Sequence, residues 1–342
     1  MSGGIDSFVT ALLLQQRGYE VIGVTLELWG RNDIAAVQKV CRTLGIPLIS
    51  RNGEELFRRV VVRSFVEGYQ AGYTPSPCCI CNSYVKWTLL NEAATELGAS
   101  GIATGHYVRI VQIDGRNYIR KGIDVHKDQS YFLWGIPSEI LGKAITPLGD
   151  FTKAEVKAWA LEHGYEDIVR KKESMGVCFL RGADYRDFIQ DYTGIGQKPG
   201  LILNSSGEQI GEHSGLLNYT IGQKRGMPSV AGQPLYVAEI DAIRNVIVAD
   251  VKPALLTQTL WVDQVNAVHV DDLYAKDVTV KIRGLGLNPQ GYVNIELCSA
   301  HGLKVNLSDP AWAVAPGQPV AFFRGDILIG GGVAGKGNKA KG

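Results

Sequence analysis

The sequence has no excess of charge of either sign. Lys and Arg number 35 and Asp and Glu number 34, which gives a formal net charge of +1 at pH 7. Overall charge therefore does not attract RNA, and any RNA contact requires local basic patches. The sequence also has no apolar run long enough to span a membrane, and its N-terminus lacks the basic and apolar regions of a signal peptide. These absences predict a cytoplasmic protein.

Cysteine is scarce as well, and three of the six cysteines lie in one short loop, unlike a secreted disulfide framework. They are Cys78, Cys79 and Cys81, and two prolines before them should stiffen the loop. Cys78 and Cys81 form a C-x-x-C pair, which is typical of a redox pair, half of a zinc site or part of an iron–sulfur site. The sequence has no second C-x-x-C pair, which disfavours structural zinc.

The other cysteines are isolated in the sequence. Cys178 lies far along the chain from the cluster but could be beside it in space, whereas a lone cysteine is more often a buried core residue. Cys41 in a helical pattern and Cys298 in a β pattern fit that core interpretation, so no role is predicted for them.

The chain begins with a short loop rich in Gly and Ser. Residues 2–7 read Ser-Gly-Gly-Ile-Asp-Ser, and a helical pattern follows over residues 8–17. The glycines let the backbone approach a ligand, and N–H groups at the helix start point toward an anion. Residues 2–7 therefore predict a phosphate-binding loop, called the phosphate loop below. Ser2 and Ser7 would supply hydroxyl donors, and Asp6 would orient a magnesium ion. An ordinary turn is the alternative, and no lysine follows where a Walker P-loop requires one.

Up to about residue 191, apolar runs alternate with helical patterns, as in a parallel sheet covered by helices on both faces. A predicted strand over residues 101–104 is followed by Gly105, His106 and Tyr107, and residues at such carboxyl ends line the ligand crevice. Residues 152–163 predict a helix that begins with a capping box.

After about residue 193, short strands and turns predict hairpins and two small β-barrels. The predicted fold is therefore an α/β domain with a parallel sheet, followed by two small all-β domains. The predicted boundaries are 1–193 for the α/β domain, 194–254 for the central β domain, 255–334 for the C-terminal β-barrel and 335–342 for a disordered tail.

Only Met1 precedes the phosphate loop, although a parallel sheet normally presents such a loop from the end of a central strand. We expect that the first strand is missing and that the natural chain begins upstream. Its loss would leave backbone groups on the neighbouring strands unpaired, each costing about 1 to 3 kcal/mol.

Three polar segments remain, at residues 127–130, at residues 223–225 and at Arg283. Each is ordinarily a solvated turn. Together they could supply the phosphate contacts that a neutral protein needs to bind RNA.

Eight segments form one combined pattern along the chain. They are residues 2–7, 74–82 with Lys86 beyond, 103–107, 127–133, 176–179, 211–216, 221–226 and 316–318. In this order they closely resemble the tRNA-specific 2-thiouridylases, the MnmA or TrmU family of PP-loop ATP pyrophosphatases, over nearly the whole length.

The resemblance implies an enzyme that replaces the oxygen at position 2 of the wobble uridine with sulfur, in tRNAs for Lys, Glu and Gln. ATP, with Mg²⁺, adenylates that oxygen and creates a leaving group. A persulfide on Cys178 then supplies the sulfur, and Cys81 helps to release it, leaving a transient Cys81–Cys178 disulfide. A cysteine desulfurase or a sulfur relay protein is the implied donor.

The resemblance also implies the site residues. Those implied for ATP binding are Ser2, Gly3, Gly4, Ile5, Asp6, Ser7, Leu26 and Gly105. Those implied to meet the target base are Ser76, Pro77 and Cys78, and those implied for other tRNA contacts are His106, Lys127, Asp128, Gln129, Arg283 and Gln318.

Two residues depart from the family pattern. Many members carry Asp at the position of Cys78, so Cys78, Cys81 and Cys178 could instead hold a 4Fe–4S cluster with one open iron, as in related thiolases. Gly284 stands where the family often has an aromatic residue, which puts one tRNA contact in doubt. The remaining interpretations are another PP-loop ligase or thiolase and an RNA-binding module stapled by zinc.

Overall fold

The computed structural model describes residues 1–30, 34–170, 176–230, 232–284, 286–298 and 302–336. The α-helices are α1 (Ile5–Gln16), α2 (Ile34–Leu44), α3 (Glu54–Phe57), α4 (Arg63–Gln70), α5 (Pro77–Cys81), α6 (Trp87–Glu96), α7 (Ser138–Leu141), α8 (Lys153–Glu162), α9 (Glu166–Val169) and α10 (Tyr185–Thr193). Residues 337–342, most of the predicted disordered tail, lie outside the described residues.

The strands complete the description of the elements. They are β1 (Gly23–Glu27), β2 (Leu48–Asn52), β3 (Ile102–Ala103), β4 (Val108–Ile113), β5 (Arg116–Lys121), β6 (Ala144–Ile145), β7 (Gly200–Leu203), β8 (Gln209–His213), β9 (Ser229–Val230), β10 (Gln233–Asp241), β11 (Val246–Val251), β12 (Leu256–Ala267), β13 (Val278–Lys281), β14 (Val293–Leu297), β15 (Leu303–Trp312), β16 (Pro319–Arg324) and β17 (Ile327–Ala334).

The N-terminal part is an α/β unit with parallel strands, which confirms the predicted fold class. Strand β1 pairs in parallel with β2, and β3 pairs in parallel with β6. Helix α1 buries Phe8 and Val9 against a core that includes Val37 of α2 and Val156 of α8. This packing holds the start of α1 in place.

Two π-helical turns interrupt the helices near the centre of this unit. Residues 58–62 join α3 to α4, and residues 82–86 join α5 to α6. A π-helical turn widens the helix by one residue, and such turns are frequent at functional sites. Here the second turn separates Cys81 from Lys86.

The C-terminal half is built from antiparallel hairpins, as predicted. Strands β7 and β8 form one hairpin, and β10 and β11 form another. Strands β12 to β17 form most of an eight-stranded sheet. Its core contains Val262, Val305 and Phe322, all of which are fully buried.

A hairpin that was not among the predicted elements links the two halves. Strands β4 and β5 of the N-terminal half are antiparallel, and β5 pairs with β17 of the C-terminal sheet. The turn between them is Asp114–Gly115, and both residues have positive φ angles, 49° and 77°. An Asp-Gly pair between alternating apolar and polar residues is a strong hairpin signal, so the sequence did contain the information.

None of the helices in the described residues is long and apolar enough to cross a membrane.

Candidate active site

A cavity with a volume of about 1010 Å³ lies in the N-terminal half of the molecule. Its walls include Ser2 and Ser7 of the phosphate loop, together with Cys78, Cys81 and Cys178. It also extends between β1 and β3, the strands that pair with β2 and β6 respectively. The fold therefore brings the glycine-rich loop and three thiols to one cavity.

Hydrogen bonds within the phosphate loop shape it. Gly3 has a φ of 74°, a conformation that favours glycine, and Gly4 is extended and caps α1. The Ser7 hydroxyl donates to the Gly4 carbonyl oxygen at 3.0 Å and lies 3.2 Å from the Ser2 hydroxyl. Ile5 is 6% exposed and packs into the core, so only its backbone faces the loop. The loop thus directs backbone and hydroxyl groups, rather than apolar side chains, toward the cavity.

Asp6 is held by two residues that are distant in sequence. Its Oδ1 atom accepts hydrogen bonds from the Tyr107 hydroxyl and from the Lys153 ammonium, each at 2.7 Å. Gly105 packs so closely that an added Cβ atom would lie 3.0 Å from Asp6. The end of β3 and the start of α8 therefore meet at the phosphate loop. Sequence patterns did not identify the contacts of Lys153 and Tyr107.

The three thiols form another part of the cavity wall. Cys78 and Cys178 are exposed, Cys81 is 8% exposed, and all three are unbonded thiols. Cys78 and Cys81 lie on α5, which has Pro77 in its first turn, a position that suits proline because no N–H is needed there. Lys86, at the end of the π-helical turn, lines the same cavity.

The surroundings of these thiols favour the protonated form. Burial raises the pKa of Cys81 to about 11. Cys78 and Cys178 have exposed surface, but the protein around them displaces enough water to raise the pKa values of their thiols as well. In all three cases the positive charge of Lys86 opposes the shift. Each thiol is therefore mostly protonated at neutral pH, and the positive charge of Lys86 favours its thiolate form.

His106 also lines the cavity. Its Nδ1 atom lies 2.9 Å from the Thr104 hydroxyl, and its ring stacks on Trp87 with 5.8 Å between the ring centroids. Burial, assisted by the charge of Lys86, lowers the pKa of His106 to about 3. The imidazole is therefore neutral at neutral pH and offers a hydrogen bond rather than a charge.

Other residues predicted to contact tRNA are divided between the cavity and its surroundings. Pro77 and Gln129 line the cavity, and the Gln129 Oε1 atom accepts from the Tyr107 N–H at 2.9 Å. Ser76 instead donates to the Cys79 sulfur at 3.4 Å. Asp128 accepts from the N–H groups of Gly122 and Ser130 and from the Ser130 hydroxyl, so it stabilises its own loop. Lys127 does not line the cavity.

Arg283 and Gln318 make contacts inside the C-terminal sheet. The Arg283 guanidinium donates to the carbonyl oxygens of Trp312 and Ala313 at 2.6 and 2.7 Å, and burial lowers its pKa. The Gln318 Oε1 atom accepts from the Ala315 N–H at 3.1 Å. Both side chains therefore have structural contacts, and the tRNA contacts predicted for them stay a prediction.

Within the described residues, no group of three or more His, Cys, Asp or Glu side chains is placed to hold a metal ion. The positions of Cys78, Cys81 and Cys178 therefore give no support to a 4Fe–4S ligand set. The same finding gives no support to a zinc-stapled loop.

Family models match most of the chain. The model described as "tRNA methyl transferase HUP domain" matches residues 1–182. The "tRNA methyl transferase PRC-barrel domain" matches residues 186–250, and the "Aminomethyltransferase beta-barrel domain" matches residues 256–334.

Curated relatives match over nearly their full length. A protein of Phocaeicola vulgatus named tRNA-specific 2-thiouridylase MnmA 2 is 39% identical, over 97% of this chain and 96% of its own. The proteins named tRNA-specific 2-thiouridylase MnmA from Lachnoclostridium phytofermentans and Acidithiobacillus ferrooxidans are each 37% identical over 97% of this chain, and over 97% and 96% of their own lengths. The similarity therefore extends through both halves of the molecule.

Proposed function

The chain belongs to the family of tRNA-specific 2-thiouridylases, and from this we propose that it replaces the oxygen at position 2 of the wobble uridine of tRNA with sulfur, at the expense of ATP. One observation carries the proposal for this chain's own residues. The phosphate loop and the thiols of Cys81 and Cys178 line one cavity. Activation of an oxygen and delivery of a sulfur could therefore occur on the same bound base.

The first step makes the oxygen a leaving group. The uridine oxygen attacks the α-phosphorus of ATP, pyrophosphate departs, and the oxygen is left as part of an AMP ester. We propose that the loop of residues 2–7 binds the phosphates through its backbone N–H groups and the hydroxyls of Ser2 and Ser7. Leu26 and Gly105, which line the cavity, would lie against the nucleotide. Because the Asp6 carboxylate already pairs with Lys153, we propose that Mg²⁺ enters bound to the phosphates, where it neutralises their charge.

The second step delivers the sulfur. The terminal sulfur of a Cys178 persulfide attacks the activated carbon, AMP departs, and the base is joined to Cys178 through a disulfide. The Cys81 thiolate then attacks the Cys178 sulfur, which releases the thiolated base and forms the Cys81–Cys178 disulfide. An external dithiol reduces this disulfide, and a cysteine desulfurase or a sulfur relay protein renews the persulfide. Lys86 supplies positive charge next to both sulfur atoms.

The target base has to leave the anticodon stack to reach this cavity. We propose that Pro77, Cys78 and His106 surround it, since all three line the cavity. A neutral His106 can hydrogen-bond the uracil ring without adding charge beside the phosphates. The proposed substrates are tRNAs for Lys, Glu and Gln, and a tRNA substrate places the protein in the cytoplasm.

A cluster-dependent route is the second candidate, and the positions of the three cysteines give it no support. Iron analysis of protein purified without oxygen tests this point. Protein that thiolates tRNA without bound iron would exclude the cluster, whereas activity that rises in proportion to bound iron would replace the persulfide route.

The function is tested with unmodified tRNA transcripts, ATP, Mg²⁺, a cysteine desulfurase with cysteine as the sulfur source, and a dithiol as the reductant. The transcripts are digested to nucleosides, which are identified by mass spectrometry. We expect 2-thiouridine from a wobble-uridine transcript and none from a matched transcript with cytidine at that position. An added methyl group, which the descriptions of the family models name, has a different mass. Its appearance, or no mass gain, would contradict the proposal.

A further inference from the structure

The phosphate loop is not followed by a lysine in the sequence, yet the fold brings one to it. Lys153, the first residue of α8, places its ammonium 2.7 Å from Oδ1 of Asp6. The Lys153 side chain is 9% exposed, whereas that of Asp6 is 38% exposed and lines the cavity. The lysine therefore reaches the loop from behind, with Asp6 between it and the cavity.

Several contacts fix the position of this ammonium. The Lys153 N–H donates to Asp124 at 2.8 Å, and the preceding Thr152 forms a capping box with Glu155. The Tyr107 ring centroid lies 5.7 Å from the ammonium, and the Tyr107 hydroxyl donates to the same Asp6 oxygen. A buried ammonium without a partner would be costly, and the pairing with Asp6 offsets that cost.

The pair also changes the charge of the loop. An unpaired Asp6 carboxylate would place a full negative charge at the wall that faces the phosphates, where it would oppose the partial positive charge of the start of α1. Lys153 cancels that charge without itself entering the cavity.

We propose that Lys153 is a positioning residue that neutralises Asp6, so that the loop accepts the polyphosphate of ATP. This inference rests on the proposed function, because it assumes that ATP binds at residues 2–7. Lys153 acts through Asp6 rather than by touching the phosphates. It thus provides, from a distant helix, a charge that this loop sequence lacks.

The test is ATP binding by titration calorimetry in the presence of Mg²⁺ and without tRNA. Replacement Lys153→Met should weaken ATP binding by roughly tenfold or more, because two like charges then face each other across a short distance. Lys153→Arg, which keeps the charge, should retain more affinity. Lys39→Met, which changes an exposed lysine of α2, is the matched control and should bind ATP as the unaltered protein does.

A double variant separates a charge effect from a packing effect. If Asp6 repels ATP once Lys153 is gone, then Asp6→Asn combined with Lys153→Met should bind ATP more tightly than Lys153→Met alone. The loss in the single variant should also shrink as salt concentration rises, because salt screens repulsion but does not repair packing. Circular dichroism and thermal unfolding verify that each variant is folded.

Three results would overturn the inference. They are unchanged affinity in Lys153→Met, a double variant that binds no better than that single variant, and a loss that does not depend on salt. The second result is also expected if Asp6 acts by binding Mg²⁺. If the unaltered protein thiolates tRNA, these results contradict only the inference. If it neither binds ATP nor thiolates tRNA, the proposed function fails as well.

Discussion

The cavity wall has two contrasting regions. At the loop end, formed by the phosphate loop, Asp6 is held by Tyr107 and Lys153. At the thiol end, formed by Cys78, Cys81 and Cys178, three free thiols lie in partly apolar surroundings. The first end pairs its charges within the protein. The second raises the pKa of each thiol by burial and opposes that shift with the charge of Lys86. Hydrogen bonds and an ion pair hold Asp6 at the loop end, whereas desolvation sets the protonation of the thiols at the thiol end.

The difference indicates how a single cavity could separate binding from chemistry. The loop end is arranged before any ligand arrives, so binding there requires little reorganisation. The thiol end keeps its sulfur atoms mostly protonated, and neutral thiols are poor nucleophiles. We infer that reactivity is withheld until a persulfide and an activated base are both present.

The strongest challenge to this separation is Cys178→Ser. We expect tRNA thiolation to be abolished, because a hydroxyl cannot carry a persulfide, while tRNA-dependent pyrophosphate release remains measurable. The matched control is Cys298→Ser, which alters an exposed cysteine outside the cavity and should thiolate normally. Equal loss of pyrophosphate release and thiolation in Cys178→Ser would show that the two ends are not separable.

Desolvation at the thiol end can be measured through stability. The pKa of Cys81 is about 11 in the folded protein against an ordinary value of 9.0, so the unfolded thiol loses its proton first as pH rises. The stabilisation that comes from burying the protonated Cys81 thiol is present below about pH 9 and is lost as pH rises toward about 11, by up to roughly 3 kcal/mol.

Urea unfolding of the original protein and Cys81→Ala, at about pH 8 and about pH 10, isolates this contribution. The free energy of unfolding should fall more steeply with pH in the original protein. Equal slopes in the two proteins would mean that Cys81 is not desolvated.

Lys86→Met tests the charge that opposes desolvation. Removing the ammonium should raise the pKa of the cavity thiols further and slow their alkylation by iodoacetamide about tenfold at neutral pH, since one pKa unit is a factor of ten in thiolate. Mass spectrometry of the peptides containing Cys81 and Cys178 gives the rate for each site. Lys86→Arg should restore much of the rate, and identical rates in all three proteins would remove Lys86 from this role.

The smallest effect is expected at the loop end, from Tyr107→Phe. Asp6 would lose one hydrogen-bond donor but keep Lys153, at a cost of about 1 kcal/mol in the free energy of unfolding. ATP affinity should fall severalfold less than in Lys153→Met, because no net charge changes. A larger loss than in Lys153→Met would mean that the hydroxyl, rather than the charge, organises the loop.

Local patterns predicted the parts of this site that depend on neighbouring residues. A helix follows the two glycines as expected, although α1 begins at Ile5 rather than at residue 8, so residues 5–7 form its first turn. The capping box at Thr152 is confirmed because each of its contacts spans three residues. Both hairpins of the central β region also follow from nearby turns.

Contacts between distant segments were not predictable in this way. Lys153 follows a helix cap, where an exposed lysine would fit equally well, and only the packing of α8 against α1 brings it to Asp6. The tRNA contact predicted for Arg283 stays a prediction, and sequence patterns did not identify the hydrogen bonds that it donates to the carbonyl oxygens of Trp312 and Ala313. Sequence identifies chemically able side chains, but tertiary packing decides which of them meet.

The pairing of β5 with β17 has a consequence for how the molecule comes apart. Because one half lends a strand to the other, the α/β unit and the C-terminal barrel share a hydrophobic core that includes Ile119 and Phe323. A chain cut at residue 254 would leave the edge of β5 bare and prone to self-association. The two halves should therefore melt as a single cooperative body.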